Sequence, residues 1–220
     1  MLNVMSQRLS KYALQKVNRL ISGRISVART WYFAFGANMD SELLAKKSIF
    51  PQESCPGFIE GYQIEISSPC EMKGKGFASI AEAKGSSVFG VLHNLSLIEM
   101  AILDVLEWVP FRFHRRVKVT AKTLDGSVSA IAWAYVAKNP KIGLRTSLGY
   151  RDLLIQSAKK VSLPEQYQAE LATLPIGDTF EIDHGFRLSN PAKRRWFENH
   201  LISIYRIHDG WREKLCQRLP

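Results

Sequence analysis

A chain of 220 residues with 46% apolar content is long enough for one medium domain with extensions and a sizeable core. It contains no apolar run of about eighteen residues, which excludes a membrane-crossing helix, and no compact apolar stretch followed by a small-residue cleavage site, so no secretory signal is expected. The net charge of +10 suggests a polyanion partner only until it is mapped. Residues 1–30 carry six basic side chains and no acid, residues 193–220 carry seven basic and three acidic ones, and the stretch between holds 17 of each. A neutral body between two basic ends is not an electrostatic trap for nucleic acid, and none is expected as a partner.

Cys55, Cys70 and Cys216 are far apart and form no Cys-x-x-Cys pair, which fits ordinary thiols in a reducing compartment. The five histidines show no metal-ligand spacing, so no metal is expected.

Residues 1–30 place Leu9, Ala13, Val17, Leu20 and Arg24 three or four apart, the pattern of a basic amphipathic helix. Three readings stand for it: an extension packed on the domain, a mitochondrial transit peptide, or a membrane-surface helix. The localisation expected is cytoplasmic, with mitochondrial as the alternative. The aromatic run Trp31 to Phe35 reads as a buried strand closed by Gly36, and Asp40 or Ser41 opens a short helix through Leu43 and Leu44. Strand-like pieces follow over 58–66, 77–81 and 88–93, with a loop from Pro69 to Gly76. Ser96 to Glu99 has the form of a capping box, starting a helix that Trp108-Val109-Pro110 ends. Residues 115–122 and 128–136 alternate as two strands joined by an Asp125-Gly126 hairpin. Ser147 caps a helix carrying Tyr150, Leu153, Leu154, Ser157 and Ala158, and Ser162 to Glu165 starts another as a second capping box with Pro164 in its first turn. From about Asn190 a further basic helix is expected. Strands and helices in this order, without a repeating βαβ unit, give an α+β class with a mostly antiparallel or mixed sheet.

Two segments carry candidate chemistry. In the Phe35-Gly36-Ala37-Asn38 turn, successive backbone N–H groups can converge on a carboxylate or an oxyanion; Gly36 permits close approach and Asn38 can brace the turn. At the far end of the capped helix, Asp104 and Glu107 stand three apart on one face, where the helix macrodipole opposes both. Glu107 is flanked by Leu106, Trp108, Val109 and Pro110. Burial by those neighbours would raise its proton affinity toward that of an acid/base working near neutrality.

Taken in order, these segments resemble the γ-glutamylcyclotransferase family over about residues 31–175. The family's aromatic strand and Tyr-Gly-Ser-Asn-Leu are matched by Tyr32-Phe33-Ala34-Phe35-Gly36-Ala37-Asn38-Met39. Its Gly-x-Ala-x-Ile is matched by Gly76 to Ile80, its Val-x-Gly-Val by Val88 to Val91, and its Leu-Asp-x-x-Glu by Leu103 to Glu107. Late matches are Tyr150, Ala158-Lys159 and Leu163-Pro164 through Leu171. The resemblance implies a small closed β-barrel, mixed or antiparallel, flanked by helices. Basic extensions at 1–30 and 176–220 would flank a domain at 31–175. The resemblance further implies a cavity at the barrel mouth between the first turn and the acidic helix end, and an enzyme that cyclises a γ-glutamyl peptide or amine to 5-oxoproline. No cofactor is needed for that reaction. Glu107 is then the acid/base, and Tyr32, Phe33, Ala34, Phe35, Gly36, Ala37, Asn38 and Tyr150 are the substrate-binding residues. The partner is a small γ-glutamyl molecule and the chain a monomer or homodimer. The other reading kept is a non-catalytic barrel binding a γ-glutamyl or carboxylate ligand. The chain departs from the pattern at Phe35 (Tyr), Ala37 (Ser) and Trp108 (Gly); the indole beside the acid is expected to narrow the pocket or change its specificity.

Overall fold

The computed structural model describes residues 28–70 and 73–177. The two extensions, and with them both basic-helix expectations and Cys216, lie outside the described residues. Five strands form the body: β1 (Arg29–Ala34), β2 (Glu53–Pro69), β3 (Gly76–Ser96), β4 (His114–Thr123) and β5 (Ser129–Ala137). They close into a barrel in the order β1-β3-β2-β4-β5. Every neighbouring pair is antiparallel except β1 with β5, whose parallel pairing closes the ring. The fold is α+β, a mixed closed barrel flanked by helices.

The pieces expected at 77–81 and 88–93 are one strand. Lys84, Gly85 and Ser86 between them read as a break, but β3 runs on through 21 residues, and the pairing to β2 shifts register between Glu60 and Tyr62 to absorb the extra residues. Gly85 takes φ 86° within that irregularity. Likewise β2 extends to Glu53 and Pro69, beyond the expected 58–66. Strands of this length must bend to serve a closed barrel. At Gly90 a β-carbon would overlap the Ala34 carbonyl oxygen, and at its ladder partner Gly57 one would overlap the Lys122 carbonyl oxygen. The Gly of the Val-x-Gly-Val segment is therefore a close backbone approach, the one that lets β3 follow the end of β1.

Alternation divides the barrel's two faces. Phe33, Val119, Ala121, Ala132 and Ala134 are fully buried and fill the lumen. Arg116, Lys118, Trp133 and Tyr135 share the outer face, as does Tyr32, the ladder partner of Trp133. Helix α2 (Leu97–Leu106) covers part of that face: the Tyr135 hydroxyl donates to the Met100 carbonyl and to Asp104 Oδ1 at 3.0 Å. The Ser96–Glu99 capping box is present, and Glu99 also accepts from the Phe50 N–H at 2.9 Å, pinning the preceding loop to the helix start.

Helix α1 (Ser41–Ala45) is capped by Asp40, α3 (Leu148–Lys160) by Ser147. The second capping box, at Ser162, does not form. Ser162 adopts φ 56° and terminates α3 instead: its N–H bonds the Lys159 carbonyl at 3.0 Å and the Leu163 N–H bonds the Ala158 carbonyl at 2.9 Å, a Schellman closure. Helix α4 (Glu165–Ala172) then starts from Pro164 with no side-chain cap. α3 and α4 pack together, and the inner end of α3 brings Tyr150 to the turn after β1.

Gly90→Ala is expected to cost about 2–3 kcal/mol of stability, because overpacking against backbone cannot be relieved by a side-chain shift. A thermal melt checks it; the midpoint should fall by about 4–12 °C.

Candidate active site

The turn after β1 is one short 3-10 helix, Ala37–Met39, closed by bonds from the Met39 and Asp40 N–H groups to the Gly36 and Ala37 carbonyls. Such a turn leaves its leading N–H groups unspent. Among the described residues those of Gly36, Ala37 and Asn38 have no acceptor. A β-carbon on Gly36 would meet only the Tyr150 hydroxyl, at 3.6 Å, so the missing side chain leaves a gap between turn and phenol. Tyr150 is itself buried, its ring edge-on to Phe77 at 5.2 Å and its hydroxyl held by the Ala78 backbone.

Asn38 was expected to brace its own turn. It does more than that, because its side chain reaches across 69 residues of sequence to the acidic helix end. Nδ2 donates to Glu107 Oε1 at 2.9 Å and to the Tyr32 hydroxyl at 3.1 Å, using both amide hydrogens. Oδ1 accepts from Lys47 Nζ at 2.6 Å. With a cation on its oxygen and an anion on its nitrogen side, the amide has one sensible orientation.

The backbone carbonyl of Asn38 is held as well. His93 is fully buried, directly opposite Tyr32 in the β1–β3 ladder, with Nε2 at 3.0 Å from that carbonyl and Nδ1 at 2.8 Å from the Ser54 hydroxyl. A carbonyl can only accept, so the proton is on Nε2 and Ser54 donates to Nδ1. Burial pushes the His93 pKa down to about 4, with the bond to Asn38 opposing. The ring is neutral, as its two partners require.

Glu107 is the C-cap residue of α2, its side chain 21% exposed. The apolar wall expected around it is not what it meets. Asn38 holds one carboxylate oxygen, and His114 Nδ1 lies 3.4 Å from the other and 2.8 Å from the Glu107 backbone carbonyl. The far nitrogen of His114 is 2.8 Å from the Ser68 hydroxyl. Asp104, one turn earlier, does not join this group. It is buried in an ion pair with Arg116 at 3.0 Å and accepts from Tyr135, and so ties α2 to the barrel wall.

Trp108 follows Glu107 with φ 54° and ψ 30°, in the left-handed region, and its ring packs edge-on to Phe113 at 5.8 Å. This gives a backbone reason for the family's Gly at the position: the chain must reverse out of the helix there, and glycine does so without the β-carbon penalty.

Of the residues singled out in the sequence, Tyr32, Gly36, Ala37, Asn38, Glu107 and Tyr150 are brought together around this turn. Phe33 and Ala34 are core instead; their side chains are buried in the barrel, and they serve by carrying the strand. Phe35 is buried too. The group forms at the end of β1 on the outer face beneath α2, rather than in the lumen, which Phe33 and the alanines fill. Lys47, His93, His114 and Ser68 were not singled out for it. Among the described residues no three His, Cys, Asp or Glu side chains cluster as a metal site would need, and no helix is long and apolar enough to cross a membrane. A surface groove of about 430 Å³ lined by residues such as Ile64, Ser67, Leu144 and Leu174 shares no residue with this group.

Comparison with known proteins finds relatives in both sequence and fold. The AIG2-like family model matches residues 87–171, which include Glu107 and Tyr150 but not the first turn. The γ-glutamylcyclotransferases of Bos taurus and Homo sapiens are 24% and 23% identical over 151 and 154 residues, in each case 67% of this chain and 79% of the relative. A solved γ-glutamyl cyclotransferase superposes with a TM-score of 0.62 at 18% identity, covering 78% of this chain and 99% of its own. The chain is similar in sequence to γ-glutamylcyclotransferases and shares their fold. Within this γ-glutamylcyclotransferase-like barrel the first turn and the Leu103–Glu107 helix end meet through the Asn38–Glu107 bond.

Two outcomes follow from the geometry. His93 favours the neutral form when folded, so its contribution is complete above the unfolded value near 6.5 and is lost as pH falls toward about 4. Over that window urea unfolding should show a loss of up to about 3 kcal/mol, and His93→Gln should flatten it; an unchanged slope would place the titration elsewhere. At position 108, glycine should be more stable than alanine by about 1 kcal/mol, the reverse of the helix-interior ranking. Melting Trp108→Gly beside Trp108→Ala isolates the backbone term, since both variants lose the ring.

Proposed function

We propose that the chain is a γ-glutamylcyclotransferase-type enzyme that converts a γ-glutamyl peptide or γ-glutamyl amine to 5-oxoproline and the free amino acid or amine. The observation that carries this reading is the 2.9 Å bond from Asn38 Nδ2 to Glu107 Oε1, which makes the unfilled N–H groups of the first turn and the Glu107 carboxylate parts of one site. The names of the relatives support the same chemistry.

In this reading Glu107 takes a proton from the substrate α-ammonium. The freed amine attacks its own γ-carbonyl carbon, a C–N bond forms, and the carbonyl oxygen becomes an oxyanion. The N–H groups of Gly36, Ala37 and Asn38 hold the substrate carboxylate or that oxyanion. As the intermediate collapses, the γ-carbon to leaving-nitrogen bond breaks and Glu107 returns its proton to the departing amine. Nucleophile and electrophile sit in one molecule, so a five-membered closure gains most of its rate from effective molarity and needs no cofactor. Tyr32 and Tyr150 remain neutral phenols, their ionisation pushed up by burial, and act as hydrogen-bonding walls. Losing the hydroxyls usual at positions 35 and 37 leaves the backbone donors untouched.

The test is a panel of γ-glutamyl dipeptides and γ-glutamyl amines, with 5-oxoproline release followed by chromatography. Turnover of at least one member is expected, and Glu107→Gln should lower it by about 100-fold or more, the range for loss of a positioned acid/base. Silence across the panel from wild-type protein would remove the reading; full activity in Glu107→Gln would move the base elsewhere.

A further inference from the structure

Lys47 is an unusual cation for this chain. Lys122 and the exposed Lys160 sit within 3.0 Å of carboxylates, Glu60 for the first and Asp40 and Glu42 for the second. Lys47 is half-buried, and among the described residues its Nζ has one hydrogen-bond partner, the neutral Asn38 Oδ1, and no carboxylate at ion-pair distance. A cation withdrawn from water without an anion is costly, and a lysine keeps two further donors to spend. Its position is not accidental. The turn after α1 holds it, with the Lys47 N–H on the Leu44 carbonyl and Ser48 at φ 55° reversing the chain into buried Ile49.

The Asn38 carboxamide separates Lys47 from Glu107: Nζ is 2.6 Å from one end of the amide and Oε1 is 2.9 Å from the other. A cation and an anion on the two sides of one amide group can each reach one of the two charges that an α-amino acid carries on a single carbon. We propose that Lys47 is the receptor for the α-carboxylate of the substrate's γ-glutamyl head, with Glu107 facing the α-ammonium. The inference rests on the cyclotransferase reading and sharpens it: with the carboxylate on Lys47, the N–H groups of Gly36, Ala37 and Asn38 are left for the oxyanion. It also assigns specificity. The enzyme selects γ-glutamyl groups against γ-acyl amines that lack the carboxylate, because only the former fill the charge at Lys47. Burial, which lowers the Lys47 pKa while Glu107 opposes, is consistent with a cation waiting for an anion.

The experiment compares full-length wild type, Lys47→Met and Lys47→Arg with two pairs of probes. 5-Oxoproline and 2-pyrrolidinone differ only in the carboxylate and are titrated by NMR. A γ-glutamyl amide and the γ-aminobutyryl amide of the same amine differ in the same way and are followed by turnover. Lys47→Met should weaken 5-oxoproline binding by about 10- to 100-fold, the worth of a hydrogen bond to a charged group, and raise KM for the γ-glutamyl amide more than it lowers kcat. It should leave 2-pyrrolidinone binding unchanged and should not lower turnover of the γ-aminobutyryl amide, and Lys47→Arg should recover most of the loss. Equal losses on both members of a pair, or none on either, would overturn the assignment and reduce Lys47 to a brace for Asn38. Should Lys47→Met not fold, the wild-type Lys47 side-chain resonance decides: it must shift with 5-oxoproline and stay put with 2-pyrrolidinone. If wild type turns over no γ-glutamyl substrate, the cyclotransferase reading fails on its own. The binding pair still judges Lys47, with a carboxylate-dependent difference upholding the receptor and its absence ending it.

Discussion

The carboxamide of Asn38 is the joint on which the site depends. Its two hydrogens go to Glu107 and Tyr32, its oxygen takes Lys47, and its backbone carbonyl takes His93. Every polar atom of the residue but its backbone N–H is thus committed to a different segment. A primary amide is suited to this because it offers donors and an acceptor on one rigid plane; a carboxylate there would repel Glu107, and an aliphatic side chain would strand Lys47 and Glu107 without the group between them. Low local dielectric strengthens such a cluster when it is complete and penalises any missing member. The committed side chain also leaves the N–H free, together with those of Gly36 and Ala37, to face a ligand.

The barrel exists, in functional terms, to bring these segments to that amide. Tyr32 and His93 face one another across the β1–β3 ladder, so one strand pair delivers a phenol and an imidazole to the same residue. The ladder can continue to Ala34 because Gly90 has no β-carbon to collide with the Ala34 carbonyl. Asp104 performs the matching task for α2. Its ion pair with Arg116 and its bond from Tyr135 fix the helix against the wall, so that the C-cap residue three positions later is aimed at the turn. Arg116 is in turn laid over the Trp133 ring at 5.2 Å. Two carboxylates on one helix end therefore divide the work: Asp104 is locked in the wall, and Glu107 stays partly exposed beside the turn.

Much of this was legible in the sequence because it is local. Caps, turns and alternation are written within a few residues, so the strand before Gly36, the Ser96 box, the Ser147 cap and the Asp125-Gly126 hairpin could be read where they stand. The acid at Glu107 and the turn at Gly36 were legible as a pair only through their resemblance to a known family. What could not be read is what joins residues far apart. Lys47 looks like half of a solvated Lys46-Lys47 pair, and nothing near it announces an amide nine positions away. His93 and His114 carry no metal spacing, which was the one signal sought in them; both work as hydrogen-bond donors to carbonyls, a role without a sequence signature. The second capping box misled for a local reason. Ser162 has two possible uses, and closing α3 in the left-handed conformation won over capping α4, since Pro164 already starts that helix.

The same geometry bears on how an acid/base can act without an apolar pocket. Burial is one way to make a carboxylate hold a proton, and the residues around Glu107 suggested it. The site surrounds Glu107 instead with an amide donor, an imidazole and, one amide away, a lysine. In the proposed reaction the substrate changes that balance by binding. Its α-carboxylate neutralises Lys47, so the proton arriving at Glu107 from the α-ammonium is opposed by one positive charge fewer. The ammonium in turn loses water to a site whose nearest base is Glu107. A ligand without the carboxylate would bring the ammonium to the same place while leaving Lys47 uncompensated, and two cations would then flank the proton's destination. Charge on Lys47 would thus discriminate between substrates in the proton-transfer step as well as in binding, which ties the choice of γ-glutamyl groups to the first chemical event rather than to the shape of a pocket.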